Sequence, residues 1–360
     1  MDISRRRFTA GALLLATGAL TAAAHAAQKT AKPYRETEAQ RRLTSRLGIR
    51  HPIVQAVFGG STPELAAAVA EAGALGGMGM SWSSEAEVRA AVQRARALTQ
   101  KPFAIGYVMQ FGAGTLQAAL DAGAPVIQFS FGIPDAAQVA AIRKAGAKFG
   151  VQIGNVRGAQ LAVAAGADYL NVQGQEAGGH VQAQGSWRDR LPEVIAVAGD
   201  VPVLVAGGLA TGADLRDVLA LGAAGGVFGT RFVATEEYPA HPAYKARLVK
   251  SRAGDTALTV CFDLEWPAAL HRVLRNDTLE AWEAGGALAR GLRPNENDVV
   301  GRLGELAFKR YSIFPPFAPT TGHPEDMAMY AGIGVERIRD TPKAGELVAR
   351  LWKECVGAAV

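Results

Sequence analysis

The sequence predicts an α/β fold, a closed (β/α)8 (TIM) barrel with a helical insertion or cap after its eighth strand. Three observations predict it. Apolar runs of strand length alternate with Ala-rich segments of helical period from residue 41 to about residue 249. Eight such runs occur, and they are apolar throughout, as strands buried on both faces of a parallel sheet are. Glycine recurs at one kind of place, the joint between a helix and the next strand, in several of the units. Eight repeats favour a closed barrel over an open doubly wound sheet.

The strand runs span 52–58, 74–80, 103–109, 126–132, 148–154, 169–174, 202–208 and 225–232. Helical segments separate them at 63–72, 84–98, 115–122, 135–145, 157–165, 187–198 and 212–221. The joints read Ala72-Gly73-Ala74, Ala122-Gly123-Ala124, Ala145-Gly146-Ala147, Ala165-Gly166-Ala167 and Leu221-Gly222-Ala223. A helix ending there wants a left-handed residue, which glycine supplies without strain. These glycines are therefore structural. They also set the phase: functional residues belong at the other, C-terminal ends of the strands. The run Gly76-Gly77-Met78-Gly79 falls inside the second strand, so it is not a dinucleotide fingerprint, which joins a strand to a helix.

Composition bounds the function. The chain has 360 residues, 49% hydrophobic and 20% charged, enough for one large core. Residues 1–27 hold three Arg and one Asp, leaving +3 of the formal +5 for the remainder. No basic run interleaved with aromatics follows residue 45, so nucleic acid is not an expected partner. Cys261 and Cys355 are the only cysteines. Neither has His or Cys at metal-ligand spacing, so no metal is expected, and both are read as free or buried thiols.

Ser4-Arg5-Arg6-Arg7-Phe8 precedes an apolar stretch from Thr9 to Ala24, and Ala24-His25-Ala26 forms an A-x-A cleavage pattern. Residues 1–27 thus read as a signal peptide of the twin-arginine (Tat) type, and the mature chain as periplasmic or otherwise exported. No other stretch is long and apolar enough to span a membrane, so no stable insertion is expected after cleavage. Residues 28–40 read as a linker, 250–320 as a helical substrate or cap subdomain, and 321–360 as C-terminal helices packing on the barrel.

In such a barrel a phosphate site commonly lies in the loops after the seventh and eighth strands. Here those strands end in Val205-Ala206-Gly207-Gly208 and Phe228-Gly229-Thr230-Arg231. Glycines let main-chain N–H groups approach phosphate oxygens, and Thr230 adds a hydroxyl. Gly207, Gly208, Gly229 and Thr230 are the candidate cup, for phosphate or a phosphate-bearing cofactor. The sixth strand ends at Gly174, and the loop after it carries Glu176 and His180. A neutral imidazole on the C-terminal face is able to take a carbon-bound proton near pH 7; a His in a surface loop is the ordinary alternative.

The stretch Val172-Gln173-Gly174-Gln175-Glu176-Ala177-Gly178-Gly179-His180 resembles the signature of the nitronate monooxygenase (2-nitropropane dioxygenase) family. Flavin-dependent enoyl-acyl-carrier-protein reductases share much of it. Collinear pieces are Pro52-Ile53-Val54-Gln55, Lys101-Pro102-Phe103, Ala206-Gly207-Gly208, Gly229-Thr230-Arg231-Phe232 and Tyr330-Ala331-Gly332. The resemblance implies an FMN-binding barrel that acts on a small-molecule substrate with O2. It implies that Gln55, Ala56 and Val57 line the flavin from the first strand. Gln173 and Gly178 would contact its ring or ribityl region, the cup its phosphate, and His180 would be the catalytic base. The implied reaction is oxidation of alkyl nitronates or nitroalkanes to carbonyl compounds and nitrite. Two alternatives stand beside it: an NAD(P)H-dependent FMN reductase of enoyl thioesters or quinones, and a non-catalytic flavin-binding barrel. Two positions depart from the family pattern. Gly106 stands where the third-strand motif usually has Asn, and Ile333 where Gln often follows Tyr-Ala-Gly. Trp82 and the loop 314–317 either shape the pocket or pack as ordinary aromatics.

Overall fold

A computed structural model of the chain describes residues 34–357; the signal-peptide reading lies outside the described residues. Eight parallel strands form one sheet: β1 (Ile53–Gln55), β2 (Gly76–Gly79), β3 (Phe103–Val108), β4 (Val126–Ser130), β5 (Lys148–Ile153), β6 (Tyr169–Gln173), β8 (Val203–Ala206) and β9 (Gly225–Phe228). A two-residue strand, β7 (Gly179–His180), sits in the loop after β6. The hydrogen-bonded order is β1-β9-β8-β6-β5-β4-β3-β2. The ring closes because the Gln55 N–H donates to the Leu75 carbonyl at 2.9 Å and the Leu75 N–H to the Ile53 carbonyl at 3.0 Å.

The helices are α1 (Glu38–Leu47), α2 (Pro63–Glu71), α3 (Glu85–Leu98), α4 (Leu116–Asp121), α5 (Ala136–Lys144), α6 (Val156–Ala164), α7 (Trp187–Ala198), α8 (Gly212–Ala220), α9 (Thr230–Val233), α10 (Pro242–Lys250), α11 (Asp277–Ala284) and α12 (Ala344–Val356). The joint glycines adopt the left-handed conformation expected of them, from φ 69° at Gly146 to φ 95° at Gly222. The predicted linker ends sooner than residue 40. Thr37 caps α1 through a capping box with Gln40, which satisfies two N–H groups the first helical turn leaves open. Leu43 and Leu47 of α1 pack into the barrel core beside Leu204 and Val227. Burying each stabilises the fold by roughly 2 kcal/mol. Arg46 of this helix donates to the Asp168 carbonyl just before β6, so α1 covers the end of the barrel where strands begin. The opposite end is left for the site.

The region after the barrel departs from the helical expectation. Among the described residues, 250–320 holds one α-helix of its own, α11, and most of its regular structure is antiparallel. β10 (Thr256–Thr259) and β11 (His271–Leu274) pair with each other, and β11 pairs with β7. A second small sheet joins β12 (Val299–Leu303), β13 (Leu306–Lys309) and β14 (Thr321–Gly322). Gly304, at φ 57°, turns the hairpin between β12 and β13 where an L side chain would be strained. The expected C-terminal helices reduce to α12, preceded by 3-10 turns at Pro324–Asp326 and Ile333–Arg337. No helix among the described residues is long and apolar enough to cross a membrane. Cys261 and Cys355 are both free and buried.

Candidate active site

Strands of a parallel barrel deliver their C-terminal residues to one face. β8 and β9 are neighbours in the sheet, so Gly207-Gly208 and Gly229-Thr230 emerge side by side. Gly207 and Gly208 take φ 122° and 76°, conformations that L side chains rarely adopt. Among the described residues no protein group accepts from the N–H of Gly207, Gly208, Gly229 or Thr230. All four residues are half-buried, and four such open donors at adjacent strand ends suit the oxygens of a phosphate. The Thr230 hydroxyl accepts from the Gly332 N–H at 3.0 Å, which leaves its own proton to donate. A cleft of about 230 Å³ touches Gly207 and Gly208 and is lined by Glu176, Trp187, Ile333 and Arg337 as well. Neither His180 nor Gly229 and Thr230 line that cleft, which also carries Asp214 and Asp217 and so lies to one side of the candidate cup.

His180 is held in a strand, not in a free loop. Its β7 pairs with β11, placing His180 opposite His271 and Gly179 opposite Arg272. Gln173, at the end of β6, clamps the same segment: its amide nitrogen donates to the His180 carbonyl at 3.1 Å, and its oxygen accepts from the Gln182 N–H at 2.9 Å. The His180 ring stacks on Trp266, centroids 4.5 Å apart and planes at 22°, with His271 at 5.3 Å and Tyr330 at 5.5 Å. Burial foremost, and the neighbouring His271, lower its pKa to about 3. The imidazole is thus neutral over the working range of pH. Its Nε2 is buried and has no partner in the protein. An orphaned buried nitrogen is costly, and such an atom marks the place of a ligand.

His271 is neutral as well, lowered to about 4 by burial. Its Nε2 accepts from the Phe262 N–H at 3.3 Å, so Nδ1 carries the proton and faces the Ala269 carbonyl at 2.8 Å. Both nitrogens are used, and the His271 side chain ties the start of β11 to the turn at residues 262–269. The Tyr330 hydroxyl is likewise committed, donating to the Ile313 carbonyl at 2.7 Å.

The predicted residues divide. His180, Gly178, Gly207, Gly208, Gly229 and Thr230 come together on the C-terminal face. Gly178 earns its place by close approach: a Cβ there would lie 2.5 Å from the Gly332 nitrogen. Gln55 does not offer its side chain to a flavin. It is fully buried, its amide nitrogen donating to Ser61 and to the Gly77 carbonyl while its oxygen accepts from the Gly77 N–H at 2.9 Å. That amide stitches β1 to β2. Gln173 is similarly engaged in holding the His180 segment. Ala56 and Val57 are partly buried at the mouth of β1, but the Val57 side chain leans inward over Gly77 and Gly106. A Cβ on Gly106 would sit 2.2 Å from Val57 Cγ1, so the space the family's Asn would use is filled by Val57. Sequence reasoning missed Trp266, His271 and Tyr330. They come from the segment after the barrel; Tyr330 lies in the Tyr-Ala-Gly piece but carried no site role there, and no local motif announces Trp266 or His271.

The family model described as nitronate monooxygenase matches residues 40–113 and 107–354. The chain belongs to the nitronate monooxygenase family. A nitronate monooxygenase of Pseudomonas aeruginosa is 34% identical over 364 aligned positions, covering 88% of this chain and 99% of the relative. Among solved structures, nitroalkane oxidase from Streptomyces ansochromogenes aligns with TM-score 0.70 and 28% identity over 87% of this chain and 97% of that one. FabK from Thermotoga maritima aligns with TM-score 0.70 and 27% identity over 87% and 95%. As a member of the nitronate monooxygenase family, the chain is a flavin oxidoreductase with FMN as its cofactor. The residues present fit that group: open N–H donors form the cup, and an unpartnered imidazole follows β6 on the same barrel face.

Proposed function

We propose that this chain is an exported nitronate monooxygenase in which His180 meets the nitro group of the substrate. The unpartnered, buried, neutral Nε2 of His180 carries this reading. Gly207, Gly208, Gly229 and Thr230 would hold the FMN phosphate through main-chain N–H groups and one hydroxyl. Bound FMN supplies the two-electron redox chemistry and the encounter with O2. The protein's part is to orient the substrate and to exclude water, which the aromatic surroundings of His180 support.

An imidazole so depressed in pKa is a weak proton acceptor and a good hydrogen-bond partner. It suits an alkyl nitronate, which arrives already deprotonated, better than a neutral nitroalkane, whose carbon acid must first give up its proton. The products are a carbonyl compound and nitrite. Export rests on the Arg5-Arg6 pair, Phe8, the apolar stretch and the A-x-A pattern. A Tat-type route carries folded proteins, which suits a cofactor that must be loaded before transit. The similarity to FabK keeps a nicotinamide-dependent reductase as the second reading.

The test is direct. The purified mature chain, reconstituted with FMN, is expected to show a flavin spectrum, to release nitrite from ethylnitronate and to leave NADH unoxidised. Rapid NADH oxidation without nitrite would transfer the chain to the second reading. For export, Arg5→Lys with Arg6→Lys is expected to retain the protein in the cytoplasm; unchanged export would remove the Tat reading.

A further inference from the structure

We infer that the arc formed by Trp82, Phe111, Phe131 and Trp266 is the subsite for the carbon side of the substrate, and that it selects an aryl or similarly flat apolar group. This deepens the nitronate reading and rests on it.

The four rings come from four separate places. Trp82 follows β2, Phe111 follows β3, Phe131 follows β4, and Trp266 comes from the segment between β10 and β11. They form a continuous contact path. Trp82 meets Phe111 at 4.8 Å, Phe111 meets Trp266 at 5.0 Å, and Trp266 stacks on His180 at 4.5 Å. Phe131 closes on Trp266 edge to face at 4.7 Å. The outer end is open to solvent, with Trp82 55% exposed, and the inner end is the orphaned imidazole. The arc stands at the C-terminal ends of β2 to β4, and the cup at those of β8 and β9, on the far side of the closed ring.

Two features set the arc apart from ordinary packing. Phe131 is a non-glycine residue at φ 55°, held there because its N–H donates to Gln182 Oε1 at 2.8 Å. Gln182 belongs to the segment that Gln173 clamps beside His180, so the strained ring and the imidazole are positioned by one network. Backbone strain of this kind is retained where a side chain must be aimed. The Trp266 turn is also braced. Its Asp263 accepts from the Ala268 N–H at 2.8 Å and pairs with buried Arg293 at 2.7 Å. Every ring of the arc is uncharged. Arg272, the cation on β11, is committed to the Gln175 carbonyl at 2.8 Å and the Thr256 hydroxyl at 3.1 Å. A small nitronate bearing a carboxylate finds no dedicated cation in the arc, whereas an aryl group finds edges and faces to stack on.

The experiment compares the nitronates of nitroethane and 1-nitro-2-phenylethane in the FMN-loaded full mature chain and in Trp82→Ala. We expect kcat/KM to favour the phenyl substrate in the parent. Trp82→Ala should lower that value roughly fivefold to tenfold, the range of one aromatic contact, while leaving ethylnitronate within about twofold. Calorimetric binding of the two uncharged nitro compounds gives a readout independent of turnover. Nitrite release that ignores the phenyl group, in parent and variant alike, would overturn the subsite and leave the nitronate reading standing. Tighter, Trp82-dependent binding of the phenyl compound without nitrite from either substrate would uphold the subsite and remove the nitronate reading.

Discussion

His180 keeps its Nε2 unpartnered beside Trp266, His271 and Tyr330, where burial drives its pKa to about 3. Replacing it with Ala should leave FMN content unchanged, because the cup does not use it. Turnover of neutral nitroethane, already slow because so depressed an imidazole is a weak proton acceptor, should fall further by about a hundredfold, the lower end for a lost general base. Turnover of ethylnitronate should fall less, since no carbon proton has to leave. Nitrite release from the two substrates measures the difference, and equal losses would deny His180 the base role. Gly106 makes a second residue-scale point. The position reads from sequence as a missing hydrogen bond, but the structure gives it a steric cause, since Val57 occupies the space. Gly106→Asn alone should cost about 1–3 kcal/mol through overpacking. Adding Val57→Ala should recover most of it, as read from thermal melting of both variants.

At the scale of elements, the barrel was legible and the segment after it was not. Parallel strands bury both faces, so each reads as an apolar run between glycine joints, and β1 to β6, β8 and β9 fall inside the predicted runs. β10, β11 and β7 are two to four residues long, and β7 pairs with β11 across a large sequence distance. Strands so short hold no periodicity to read; their pairing partners decide them. The buried Asp263–Arg293 pair braces this region, as a close ion pair whose partners are both almost wholly enclosed. Asp263→Ala would leave a buried guanidinium without its main partner, at a cost of about 3–5 kcal/mol. Urea unfolding should show that loss, and the flavin environment should change with it because Trp266 loses its brace. A variant as stable as the parent would show the brace to be dispensable.

Across the whole molecule, three histidines share one electrostatic condition. Burial holds His51 and His271 at about 4 and His180 at about 3, below the ordinary value of 6.5. The unfolded chain therefore binds more protons than the folded one between about pH 6.5 and pH 4. Stability from these groups is full above pH 6.5 and declines as pH falls through that window. The urea midpoint should be lower at pH 5 than at pH 7, and His271→Asn should flatten the dependence. An unchanged slope in that variant would place the acid sensitivity on other groups.

What the sequence determined by itself was the periodic scaffold and the chemistry attached to its ends. The barrel, the glycine phase and the placement of Gly207, Gly208, Gly229, Thr230 and His180 after their strands all follow from local rules repeated along the chain. Local rules suffice there because each strand end is placed by its own unit. Only the tertiary structure decided what surrounds His180. The side-chain amides of Gln55 and Gln173 are shown to clamp neighbouring backbone, because a buried amide must find backbone partners. Trp266, His271 and Tyr330 became neighbours of the imidazole through the pairing of β7 with β11, a contact made across some ninety residues that no local spacing encodes.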